Sequence, residues 1–198
     1  MAPLVRVTRS LAIGAALTIC LAGCTRNTAP TTPTQQPESR QFTPLAKIEA
    51  ISISDDPLQG MGESIDDSPT YLAEVRAASQ RLLLYVNSDG CGFVSTSDTK
   101  PQVIGINLIS KWPEESQNAK TSIGGYNSAS ASGADNSWVQ VKCNKRAMAV
   151  EYTHHSSVTV ESHRGNISVT EPTKQHPSLL LVVGEPRVRK SASEWQGL

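Results

Sequence analysis

Between residues 82 and 183 apolar residues fall in short runs or at every second position, with turn-forming residues between them. Residues 82–86 are a five-residue apolar run, as expected of a strand buried on both faces. Asn87-Ser88-Asp89-Gly90 has turn chemistry, since Asp-Gly reaches positive φ at little cost. Residues 91–96 then return as the partner strand, and 103–109 form another. Residues 137–143 alternate, Asn144-Lys145-Arg146 turns, and 147–152 come back. Residues 158–162 and 167–171 flank Arg164-Gly165-Asn166 and read as a hairpin, and 179–183 close the set. Many short strands separated by turns predict a mainly β domain, an antiparallel sandwich or barrel-like sheet.

The pattern departs from this in three places. Residues 45–53 alternate and suggest a further strand, followed by a breaker-rich loop from Ser54 to Gly62. Ser68-Pro69 has the form of a helix start, and Tyr71, Leu72, Val75 and Ala78 then share one helical face. That spacing predicts one α-helix over about 69–80, an added layer on the sheet. Residues 113–137 hold Gly, Asn and Ser with few apolar side chains and read as a long loop. Trp138, on an alternating strand, is expected in the core. Trp112 and Trp195 sit beside loops, where rim packing outweighs a ligand surface.

The first 44 residues follow another logic. Arg6 and Arg9 precede an apolar run of about eleven residues, short of the roughly 20 that span a bilayer as a helix. Leu21-Ala22-Gly23-Cys24 ends the run, and a Thr/Pro-rich stretch follows. Basic front, short apolar core, small residues and a cysteine resemble the signal peptide of a bacterial lipoprotein, with residues 21–24 as the lipobox. The resemblance covers residues 1–24 only. It implies removal of 1–23, a diacylglyceryl thioether on Cys24, and anchorage at the extracytoplasmic face of the cell membrane. Two acyl chains suffice for stable anchoring, which one does not supply. Residues 24–44 then form a lipidated tether with almost nothing to bury, biased to extended polyproline geometry. Residues 45–198 are the right length for one extracytoplasmic domain.

The whole chain has 18 basic and 18 acidic residues; without Arg6 and Arg9 the count is 16 against 18. So neutral a chain has no electrostatic reason to seek nucleic acid or an anionic membrane surface, and no nucleic-acid partner is expected. Arg187, Arg189 and Lys190 form a small basic cluster that reads as a solvated strand end or tail. With Cys20 lost and Cys24 lipidated, Cys91 and Cys143 remain. An even pair in an exported protein is most economically a disulfide. Two buried thiols are the alternative, and a redox pair would favour a Cys-x-x-Cys spacing, which does not occur.

Catalytic motifs are sparse. Among His154, His155, His163 and His176, the pair able to share a metal is His155 with His163, because adjacent histidines on a strand face opposite ways. No Glu-flanked His-x-x-x-His spacing accompanies them. Ser97-Asp98-Thr99-Lys100 has the Ser-x-x-Lys spacing of penicillin-recognising enzymes but lacks the supporting elements, and reads as a turn. The acidic pairs Asp55-Asp56 and Asp66-Asp67 lack the glycine-spaced pattern of a calcium loop. No cofactor is expected. The chain reads as a non-enzymatic binding or envelope-accessory module whose partners are the membrane and an envelope protein. A small hydrolase or metal-dependent enzyme using the histidines is the second reading. There, His155 or His163 would meet Glu151 or Glu161. A modulator of another envelope machine is the third.

Overall fold

The computed structural model describes residues 42–59, 68–114, 125–155 and 158–192. Ten strands form two antiparallel sheets of five. They are β1 Thr70–Ala77, β2 Gln80–Val86, β3 Gly90–Ser97, β4 Lys100–Lys111, β5 Asn127–Ser132, β6 Trp138–Cys143, β7 Ala147–Thr153, β8 Val160–Gly165, β9 Ile167–Thr170 and β10 Leu179–Gly184. A short helix, α1, covers Pro186–Ala192. The sheet orders are β4-β3-β2-β1-β8 and β5-β6-β7-β10-β9. Leu72, Val75, Leu82, Leu84 and Phe93 of the first sheet share one buried cluster with Val139, Val141, Val150, Leu179 and Leu181 of the second. The arrangement is that of a sandwich, and no closed barrel forms among the described residues.

Part of each outer face is also covered. On the first sheet, Ile51, Ile53 and Leu58 lie over Tyr71, Leu83, Tyr85 and Val94. On the second, Val188 of α1 and Phe42 pack with Ala147, Ala149, Leu180 and Val182. Residues 82–86 are therefore buried on both sides, as their unbroken apolar run predicts. The expected strand over 45–53 is instead a 3-10 turn, Leu45–Lys47, followed by an extended strap. Leu45 and Ile48 enter the inter-sheet core, and Ile51 donates its N–H to Tyr71 O at 2.9 Å. The alternation reports a segment anchored at several points, with no continuous ladder behind it.

The helix expected at 69–80 is strand β1, and the helix present is α1. A register shift between Tyr71 and Ala73 explains the misleading spacing. At this bulge the successive residues Leu72 and Ala73 both reach the core, so strict alternation fails and a helix-like period appears. The turn that follows carries no glycine or asparagine signal either. Ala78 and Ser79 sit at φ 51° and 62°, the left-handed region a two-residue primed turn demands. Each non-glycine residue held there carries strain. The double substitution Ala78→Asn with Ser79→Gly is expected to stabilise the protein by about 1 kcal/mol, read as a higher urea midpoint at unchanged slope. An unchanged or lower midpoint would show that the turn is not strained.

Two further connections differ from expectation. Residues 158–171 do not form a hairpin: β8 pairs with β1 in one sheet, and β9 with β10 in the other. Gly165, at φ 97°, carries the chain across, and a Cβ there would sit 2.2 Å from Leu72 O. The 113–137 stretch contains β5, whose alternating Ser and Ala offer no apolar signal although Ala131 packs on the core. In the β2–β3 turn, Asn87 Oδ1 accepts from the N–H groups of Asp89 and Gly90 at 3.1 and 3.0 Å, so this turn works through a side chain without positive φ. Trp138 is half-buried, because the inward phase of β6 belongs to Val139, Val141 and Cys143.

Candidate functional site

Among the described residues, the most heavily charged buried cluster lies on the outer face of the first sheet, centred on Glu74 of β1. Strand register sets its members. Arg164 of β8 is directly opposite Glu74, and Arg81 of β2 is opposite Arg76. Glu74 and Arg81 are each 4% exposed. Arg81 Nε donates to Glu74 Oε1 at 3.0 Å and its Nη1 to Asp55 O at 3.2 Å. Arg164 forks onto the other carboxylate oxygen, its Nε at 2.8 Å and its Nη2 also bonded. Arg76 approaches Glu74 at 3.5 Å and donates to Asp98 at 3.2 Å. Burial pushes the Glu74 pKa up, but the hydrogen bonds and charges of Arg164 and Arg81 outweigh it and hold the carboxyl below its ordinary value.

Beside this cluster, the Tyr71 hydroxyl donates to Asp56 Oδ1 at 2.5 Å, and the Leu58 N–H reaches the same oxygen at 2.9 Å. Burial, then the bond to Asp56, raises the Tyr71 pKa. Burial alone pushes Tyr85 up to about 12, and its hydroxyl donates to Asn107 Oδ1 at 3.0 Å. The acidic pair at 55–56 thus fastens the strap to the sheet. Asp66 and Asp67 lie outside the described residues, as do Cys24 and Trp195.

A second cluster occupies the β5–β6 loop and the end of β7. Asp135 Oδ1 accepts from the Ser137 hydroxyl at 2.5 Å and from its N–H at 3.0 Å, while Asp135 Oδ2 lies 3.4 Å from His154 Nε2. Burial raises the Asp135 pKa, but these donors and the His154 charge outweigh it, and the net shift is downward. Burial, with the Asp135 charge adding to it, pushes Tyr152 up to about 12. His154 and His155 do not point to opposite faces. Their rings are 4.2 Å apart, because β7 ends at Thr153 and strand alternation stops there. His155 Nδ1 lies 3.0 Å from Asp135 O.

The order of groups decides what this cluster can do. A serine nucleophile needs a base on its hydroxyl. Ser137 is 2% exposed and donates to a carboxylate whose pKa is depressed, with the imidazole on the far side of that carboxylate. The arrangement closes a loop and does not activate an oxygen. His155 follows the end of β7 in one sheet, whereas His163 is exposed on β8 at the edge of the other. Glu151 faces Lys142 Nζ at 3.4 Å, and Glu161 is exposed. His176 donates its N–H to Thr173 Oγ1 at 3.1 Å within the β9–β10 loop. Among the described residues, no group of three or more His, Cys, Asp or Glu is placed to hold a metal ion.

The remaining candidates are structural. Cys91 and Cys143 form a disulfide between β3 and β6, with Cα atoms 6.1 Å apart, and so join the two sheets. Ser97 ends β3 and Lys100 begins β4, and Ser97 Oγ accepts the Thr99 N–H at 3.3 Å, so Ser-x-x-Lys is a hairpin turn. Trp112 Nε1 donates to Ser88 O at 3.0 Å and braces the β2–β3 turn. Sequence reasoning misses the Glu74–Arg81–Arg164 cluster. Its one signal is a charge set within or beside an apolar stretch in β1 and again in β2, which matters only once the strands are in register. No protein-family model matches the chain, nor does any curated protein or solved structure, so the fold and these side-chain clusters are the ground on which its function is argued.

Proposed function

We propose that the chain is a lipid-anchored extracytoplasmic lipoprotein whose β-sandwich acts as a non-enzymatic binding or envelope-accessory module. The observation that carries the reading is the Leu21-Ala22-Gly23-Cys24 sequence behind a basic, short apolar leader. The disulfide agrees with it, because such bridges persist in oxidising compartments outside the cytoplasm. The binding role is supported by how the polar side chains are used: Glu74, Arg81, Asp56, Asp135 and Ser137 all hold the fold together. The partners are the bilayer, through the acylated cysteine, and an envelope protein.

Intact-mass analysis of the mature chain tests the anchor. The expected product begins at Cys24 and carries diacylglycerol, and Cys24→Ala leaves the leader uncut or releases the protein from the membrane fraction. An unmodified cysteine, or a variant processed and retained like the parent, overturns the reading.

A further inference from the structure

Three segments distant in sequence meet where the described chain begins. The Leu45 N–H donates to Lys145 O at 2.8 Å, and the Thr43 N–H to Glu185 Oε1 at 2.9 Å. The Arg146 guanidinium stands 4.5 Å above the Phe42 ring. Gly184 pairs with Ala147 and accepts from Arg189 Nη1 at 3.0 Å. Residues 42–47, the β6–β7 turn and α1 therefore make one surface. Lys47, Lys145, Arg146 and Arg187 are exposed on it, and Arg189 is half-buried. Two acids adjoin these segments: Glu185, engaged by Thr43, and the exposed Glu49, two residues beyond Lys47. At the same end of the other sheet, the exposed Lys111 is accompanied by two exposed acids, Asp89 and Glu114, so the cations of this end belong to the second sheet and the strap. A chain with equal numbers of acids and bases thus carries an excess of cations on the surface made by residues 42–47, the β6–β7 turn and α1. Arg187 and Arg189, which read in the sequence as part of a tail, are fixed there by Val188 packing on the second sheet.

We infer that this cationic face docks on an anionic phospholipid surface, holding the sandwich against the bilayer in one orientation. The inference rests on the proposed anchor at Cys24. Residues 25–41 separate that cysteine from Phe42 in the sequence, and Phe42 lies on this face. Charge attraction to a membrane fades within a Debye length of roughly 8 Å. Four exposed cations at the attachment end, with the half-buried Arg189 beside them, are placed to come within that range. Tethering also raises their effective concentration at the surface.

The test uses the mature full chain reconstituted in vesicles of phosphatidylglycerol or of phosphatidylcholine. Lysine acylation is read by peptide mass spectrometry, and intact mass is recorded on the same samples. Lys100 and Lys174, both exposed, serve as controls at the opposite ends of β4 and β10. Lys47 and Lys145 are expected to react about threefold or more slowly on phosphatidylglycerol, with the controls unchanged and the contrast lost in high salt. Arg146→Glu with Arg187→Glu is expected to abolish the contrast. Equal labelling of Lys47 and Lys145 on the two lipids overturns the inference, whether or not the mass shows diacylglycerol. Protection that appears only when membrane proteins are added assigns the face to a protein partner and also overturns it. An unlipidated mass with the contrast intact removes the anchor reading and leaves the docking face standing.

Discussion

Glu74→Gln lowers the stability of the protein by about 3–5 kcal/mol at pH 7, the range found when one partner of a buried ion pair is removed. Among the described residues the carboxylate is the anion paired with Arg81, which is equally buried and has a backbone carbonyl as its other acceptor. A glutamine keeps the shape but leaves that guanidinium charge uncompensated. Its amide also turns a donor toward one of the two arginines that both need acceptors. Arg164 adds less than its hydrogen bonds suggest, since its side chain is 49% exposed and water replaces much of what it loses. The folded Glu74 pKa is depressed, so the stability it contributes is fully present above its ordinary value of 4.5 and is lost as pH falls through the lower folded value. The glutamine side chain does not titrate. The gap between wild type and variant is therefore widest near neutrality and closes in acid. Urea unfolding from pH 7 to about pH 3 measures both. A gap below about 1 kcal/mol at pH 7, or one that fails to narrow in acid, would show that the cluster is not a buried ion pair. Glu74→Leu with Arg81→Met should recover most of the loss, since a well-packed apolar pair is often no less stable than the ions it replaces.

The same strand shows where the sequence can and cannot be read. Mainly β architecture, the buried β2 run and the Cys91–Cys143 pairing are all legible, because each is written in local pattern or in cysteine number. β1 is not. Its bulge breaks the alternation, and its five consecutive buried residues reflect a strap arriving from residues 51–58 and an ion pair completed from β2 and β8. Burial supplied from elsewhere in the chain leaves no periodic trace in the strand that receives it. The Arg164-Gly165-Asn166 sequence misleads for a related reason. Glycine at positive φ serves a sheet-to-sheet crossing as readily as a hairpin turn, and only the partners of β8 and β9 tell the two apart. The Asp135 cluster needs the β5–β6 loop to fold back beside the end of β7, and residue spacing does not encode that return.

Loss of the disulfide is the other large effect. Cys91→Ala with Cys143→Ala is expected to lower stability by about 4 kcal/mol, from the chain entropy that a closed loop of this length withholds from the unfolded state. The two cysteines are 52 residues apart, and the loop between them contains most of β3, all of β4 and β5, and β6. Both cysteines are fully buried between the sheets, so reduction also leaves two thiols in the core with weak hydrogen-bonding capacity. A loss of this size is a large part of the roughly 5–15 kcal/mol that holds a domain folded. Wild-type protein unfolded in urea with reductant should approach the double variant, whereas the variant itself should not respond to reductant. The bridge lies at one end of the sheets and the Glu74 cluster on an outer face, with no shared partner, so the two losses should add within a few tenths of a kcal/mol. Combining them should leave little or no folded protein at physiological temperature. A double-cysteine variant within about 1 kcal/mol of wild type, or thiols that react with a probe in the unreduced native chain, would mean that packing alone holds the two sheets together. It would also remove the structural support for export, since a sandwich indifferent to the bridge would fold equally well in a reducing compartment.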